Sequence, residues 1–175
     1  MARLPYVEPE SMKAEVREVY DRLPAKLNIF RMMAHAETCF RPLIGLGTSI
    51  LARQKLSPKL RELAILRVAS LSRAAYEWTQ HVAIAIAVGV SEAQVKALEE
   101  GDVAASCFDD EEKLVLRFTT ECLRDVKVSD ATFAAAAKRW SHQEVVELLL
   151  TSGYYMMIAR LLESTAVDLE PALRR

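Results

Sequence analysis

Three side chains near the middle of this sequence have the types and spacing to move protons. Glu77 and His81 stand four residues apart, and Glu62 precedes Glu77 by fifteen. On a helix, residues four apart share a face. A carboxylate and an imidazole therefore lie together, and Ile84, Ala85 and Val88 continue the same face as an apolar stripe. Burial of that stripe would partly desolvate both groups and shift their proton affinities. At Glu77 two effects oppose each other. A place in the first helical turn favours the carboxylate, whereas desolvation favours the neutral acid. The sequence leaves that balance open.

Glu62 belongs to the preceding helix, on a face with Leu66 and Ala69. If the two helices form an antiparallel hairpin, Glu62 lies about 16 Å before the junction at Arg73, and His81 lies about 11–12 Å beyond it. Side chains at those depths can meet. A Glu62–His81–Glu77 relay is then available, in which one carboxylate orients the imidazole and the other faces a substrate. The ordinary alternative is a plain structural or surface pair, since Glu and His at this spacing are common on helices. Three further residues are candidates for substrate binding. Trp78 could stack on a ligand or simply fill core, Arg67 could clamp an anion or hold a structural ion pair, and His35 has no spacing argument of its own.

Positioning these groups requires helices, and the sequence reads as helical throughout. Apolar periodicity predicts a helix over 11–23, ended by Pro24, a short one over 28–36, and one opened by Pro42 that reaches 53. Ser57-Pro58 places a capping hydroxyl before a proline at the first helical position and starts a helix over 58–72. The next covers 76–88 and closes at Gly89. Ser91 and Gln94 form a capping box for a helix ending at Gly101. Asp109 or Asp110 caps one to 126, Ser129 caps one to 139, and a second capping box at Ser141 and Glu144 opens a long helix to 167. No segment alternates with period two, so no sheet is expected. The segment 62–66 echoes 147–150, which would fit a duplicated helix pair, although apolar helices also look alike by chance. The expected organisation is one all-α domain over 1–175, with an extended arm at 1–10 and a tail at 168–175.

Composition narrows the function. Hydrophobic residues make up 51% and charged residues 27% of the 175, a globular balance. The formal net charge is -1 with no basic stripe, which argues against a nucleic-acid partner. The longest apolar run, 82–90, is nine residues and includes a glycine, far short of the roughly 20 that a membrane span needs. Charges run through the first twenty residues, so no signal peptide is expected and a cytoplasmic location is. Cys39, Cys107 and Cys122 are odd in number and none pair at C-x-x-C spacing, which disfavours a disulfide framework or a zinc site and leads us to expect no metal.

The residues 56–63, 66–69 and Tyr76-Glu77-Trp78-Thr79-Gln80-His81, with Gly89-Val90-Ser91-Glu92, segment 28–35 and segment 153–160, together resemble the carboxymuconolactone decarboxylase family. The resemblance implies an AhpD-like helical bundle of about seven to eight helices. The alkylhydroperoxidase D branch carries a Glu, then C-x-x-C, then a His. Laid onto this chain, the Glu falls on Glu62 and the His on His81, while the cysteine positions hold Ala74 and Glu77. A thiol peroxidase needs a thiolate, so the decarboxylase branch is the better match. That branch implies a cofactor-free lyase acting on a small carboxylated lactone or similar activated acid. In that reading His81 is the general acid/base, Glu62 orients it and Glu77 is a second proton carrier. A non-catalytic helical binding or assembly protein is the alternative from another class. The family also implies a homo-oligomer, and the nearly all-round apolar segment 154–162 agrees with an interface. Simple decarboxylases of the family are shorter at the N-terminus, which leaves substrate identity open.

Overall fold

The computed structural model describes residues 1–170. Among them, a short 3-10 turn at Pro9–Ser11 precedes nine α-helices, and no strand occurs. They are α1 (Ala14–Asp21), α2 (Asn28–Met33), α3 (Glu37–Arg53), α4 (Pro58–Ser72), α5 (Ala75–Ala87), α6 (Glu92–Glu100), α7 (Asp110–Asp125), α8 (Asp130–Arg139) and α9 (His142–Thr165).

The bundle is built around α4. The Ser57 side chain accepts from the Leu60 N–H and Pro58 occupies the first turn, as the sequence predicts. Every residue of α4 from Leu60 to Ala69 is buried. A helix buried on all faces must be surrounded, and α5, α6, α7 and α9 pack around it. Burial on all sides forces Arg61, Glu62 and Arg67 inside with the apolar residues. Arg73 then takes a left-handed conformation (φ 53°), and the Ala74 N–H donates to the Ala69 carbonyl at 2.9 Å. This tight turn folds α5 back along α4. Capping boxes at Ser91, Asp109 and Ser141 and the Ser129 cap start α6 to α9 where expected.

One boundary departs from expectation. Pro42 lies inside α3 rather than at its start, because the helix begins at Glu37. Pro42 cannot donate to the Thr38 carbonyl. The turn before it is instead anchored by Phe40, fully buried in a cluster with Tyr20, Met33, Tyr76 and Leu162. That cluster joins the N-terminal helices to α5 and α9, and a larger one fills the space among α4 to α9.

Helix α9 is long and apolar enough to cross a membrane by length and composition, and 44% of its most apolar stretch is buried inside the protein. The apolar residues expected to form an interface are largely consumed internally: Tyr155, Ile158, Ala159 and Leu162 are buried within the chain's own core.

The two ends meet. The Arg3 N–H donates to the Thr165 carbonyl at 2.7 Å, and the Asp168 N–H donates to the Tyr6 hydroxyl at 2.8 Å. The N-terminal arm is therefore docked. Of the expected tail at 168–175, residues 168–170 are docked too, and 171–175 lie outside the described residues.

Candidate functional site

The predicted meeting across the α4–α5 hairpin takes place. Glu62 is fully buried, and His81 Nδ1 lies 2.8 Å from Glu62 Oε2. A carboxylate only accepts, so Nδ1–H is the donor. In the neutral ring this leaves Nε2 as the free base. Arg61 Nε donates to the other oxygen, Glu62 Oε1, at 3.1 Å. A fully buried carboxylate thus has a cationic partner on one side and the imidazole on the other, as a buried charge requires. The Tyr155 ring stands edge-on to the imidazole, with centroids 4.9 Å apart and planes at 87°. The ring is held from behind by Glu62 and from the side by Tyr155.

Glu77 is handled differently. It is 2% exposed, and neither carboxyl oxygen has a hydrogen-bond partner among the described residues. Desolvation by burial, and secondarily the Glu163 carboxylate, push its proton affinity well above the usual carboxylate range. The balance left open by the sequence is therefore decided for burial over the helix dipole, and Glu77 is held as the neutral acid.

Glu77 and His81 line one cavity of about 260 Å³ beneath α2 and α3. Its other walls are mainly apolar, including Leu27, Phe30, Ile44, Leu51 and Ile158. Tyr154 and Tyr155 complete the polar part. Burial, then the Glu77 carboxyl, push the Tyr154 phenol up to about 12, and burial followed by Glu62 raises Tyr155 well above the ordinary phenol value. Both are donors at neutral pH. The Tyr154 hydroxyl donates to the Leu43 carbonyl at 3.1 Å and fits against Gly47, where a Cβ would come within 2.5 Å of it. No Lys or Arg among the described residues lines this cavity.

The candidate substrate-binding residues stand elsewhere. Trp78 is partly buried against the main core, on the face of α5 turned from the cavity. Arg67 is buried and donates from Nε to the Thr120 hydroxyl at 2.9 Å. It has neither the ion pair nor the place in this cavity that its two readings supposed. His35 is exposed, with Nε2 2.7 Å from the Pro5 carbonyl. None of the three lines the cavity. Cys39, Cys107 and Cys122 do not line it either. Among the described residues, no three His, Cys, Asp or Glu side chains cluster as a metal site would need.

Sequence reasoning missed Arg61 and treated Tyr154 and Tyr155 as packing alone. Arg61 adjoins Glu62, and neighbours in sequence do not share a helix face, so spacing gave no signal. Two adjacent tyrosines in an apolar helix were a usable signal, because a buried phenol needs a polar partner.

The model of the Carboxymuconolactone decarboxylase family matches residues 39–121, which bears out the resemblance read from the sequence. No curated protein sequence matches the chain. Among solved structures, an uncharacterized peroxidase-related protein with an alkylhydroperoxidase AhpD core from Ralstonia eutropha JMP134 superposes with a TM-score of 0.83 at 16% identity, covering 98% of this chain and 94% of that one. An uncharacterized peroxidase-related protein from Silicibacter sp. TM1040 gives 0.81 at 15% identity, covering 98% and 93%. The debrominase Bmp8, solved with 2,3,4-tribromopyrrole, gives 0.75 at 18% identity, covering 99% and 92%. The fold is AhpD-like.

Proposed function

From a segment of the carboxymuconolactone decarboxylase family set in an AhpD-like fold, we propose a cofactor-free decarboxylase or related proton-transfer enzyme for a small, mostly apolar carboxylated lactone or similar activated acid. One observation carries the reading. A neutral, unpartnered carboxyl (Glu77) and a carboxylate-backed imidazole (His81) share the wall of one apolar cavity.

The chemistry follows from that wall. A substrate carboxylate entering it meets apolar side chains and no cation, so it loses hydration that its charge needs, and release of carbon dioxide relieves the loss. The carbon–carbon bond to the carboxylate breaks. Its electron pair stays on the carbon and spreads into the adjacent carbonyl, where a Tyr155 or Glu77 O–H can stabilise the oxyanion. Glu77 gives its proton to the carbon and regains one from solvent through His81, so each turnover consumes one proton. Glu62 positions the imidazole without touching substrate. Around 260 Å³ holds a single small ring, and Bmp8 was solved with a molecule of that size. Thiol chemistry is the poorer reading of this site, because no cysteine lines it.

Purified protein, His81→Ala and Glu62→Gln are to be offered small carboxylated lactones and β-keto acids with no cofactor added, and carbon dioxide release measured. Release by wild type is expected to fall about 100-fold or more in His81→Ala, with helicity unchanged, and less steeply in Glu62→Gln. A folded His81→Ala protein with full turnover would refute the proposal.

We also propose self-association. Val146, Leu150 and Met157 lie at helical spacing on α9 and are 53%, 49% and 42% exposed, an outward apolar stripe. Sedimentation of a monomer at micromolar concentration would count against it.

A further inference from the structure

Arg67 poses a problem that the cavity around His81 does not solve. Its residue is 4% exposed, yet its only hydrogen bond goes to a neutral hydroxyl, Thr120 Oγ1. That hydroxyl already donates to the Leu116 carbonyl at 2.6 Å. Buried guanidinium groups are normally paired with an acid, because an uncompensated charge away from water is costly. Here the nearest charge with a resolved influence is another cation, Arg124. Burial first, and Arg124 second, pull the Arg67 proton affinity below its ordinary value.

The geometry beside Arg67 explains what could compensate it. Arg67 and Thr120 lie one helical turn before Leu71 and Arg124, which line a groove of about 430 Å³ between α4, α7 and α9. Arg160 lines the same groove from α9, and its Nη1 is bonded only to its own helix, at the Met156 carbonyl. No described acid lies within ion-pair distance of Arg67, Arg124 or Arg160, and none of the three has an interaction beyond those given. Glu163 is the single acid on the groove wall. Three guanidinium groups thus face one carboxylate, beside the apolar surfaces of Leu71, Leu123 and Met156.

We propose that this groove is a second ligand site, for a small organic carboxylate whose charge is taken up by Arg124 and Arg160 at the surface and by Arg67 beneath them, and whose apolar body lies on Leu71, Leu123 and Met156. Guanidinium forks match a carboxylate with paired hydrogen bonds. The site stands on the opposite side of α9 from His81 and does not depend on the decarboxylase reading.

Calorimetric titration with benzoate, with inorganic phosphate as a parallel probe, tests this. Wild type is expected to bind one benzoate in the groove. Arg124→Gln and Arg160→Gln, both at exposed positions, should each weaken it about tenfold or more, while His81→Ala leaves it unchanged. Arg67→Met should raise the melting temperature without ligand and abolish the benzoate-dependent rise. No benzoate binding at millimolar concentration overturns the proposal, as does binding lost in His81→Ala but intact in the arginine variants. Tighter binding of phosphate than of benzoate would overturn the carboxylate assignment. A wild-type dimer that dissociates in Arg124→Gln would overturn it in favour of a carboxylate from a second copy.

Discussion

At Glu77 a group that is ordinarily charged is kept neutral by its surroundings, and the cost of ionising it should be visible in stability. The unfolded carboxyl titrates near its ordinary value of 4.5, whereas the folded one holds its proton well above that. Between those two values the folded state binds more protons, so stability falls as pH rises. Glu77→Gln keeps the shape and cannot ionise. Urea denaturation across pH 4 to 8 should find the two proteins similar at the acid end, with the variant gaining on wild type as pH rises above 4.5 and the gap levelling above the folded pKa. A constant difference would mean that Glu77 is not held neutral. The same proton is the one the proposed reaction uses, so turnover should decline over the pH range in which wild type loses stability. Of the three proton-moving residues, the pairing of Glu62 with His81 was legible in the sequence, because a tight hairpin and a fixed rise per residue determine depth. The state of Glu77 was not, because desolvation depends on what α2, α3 and α9 place over it.

At the scale of elements, the site depends on how closely α3 approaches α9. Gly47 is the contact point, since a Cβ there would come 2.5 Å from the Tyr154 hydroxyl, which donates to Leu43 on the same helix. Alanine in a helix interior is worth about 1 kcal/mol over glycine, so Gly47→Ala is stabilising only if Tyr154 can give way. In wild type it must displace a bonded phenol and should be neutral or destabilising. In a Tyr154→Phe background the obstructing oxygen is gone, and the same change should recover most of that ~1 kcal/mol. A four-protein denaturation cycle should show a coupling of about 1 kcal/mol, and strict additivity would show that the close approach costs nothing. The helix starts with local chemistry were legible beforehand: the Ser57-Pro58 start and the boxes at Ser91 and Ser141 each act within four residues. The start of α3 was not, because Phe40 and the core it enters extend that helix back past Pro42, and nothing local encodes that core. The crossing at Gly47 joins residues more than a hundred apart in sequence, so it too was invisible.

Across the whole molecule, the chain ends close over the cavity. Glu170 Oε1 accepts from the Asn28 N–H at 2.8 Å and from the Tyr76 hydroxyl at 2.6 Å, and Oε2 accepts from Gln80 at 2.8 Å. One carboxylate thus ties the start of α2 to α5, and the segment it secures supplies Leu23, Pro24, Leu27 and Ile29 to the cavity wall. Asp168 holds the N-terminal arm against the same region through Ala2 and Tyr6. The sequence reading assigned both ends to an arm and a tail, since a lone glutamate near a terminus carries no local sign of its partners. Removing Glu170 leaves the buried Tyr76 hydroxyl without its acceptor, a cost of about 1–3 kcal/mol. That cost falls on one layer of the fold, so the response should be local. In Glu170→Ala, amide hydrogen exchange should quicken over residues 23–33 while α4, enclosed by four helices, keeps its protection. If the cavity is the reaction site, KM should rise more than kcat falls, because the wall that holds substrate loosens while Glu62, Glu77 and His81 stay in place. Uniformly faster exchange would instead mean that Glu170 supports the fold as a whole, and unchanged exchange with unchanged KM would show that the segment closes over the cavity without it.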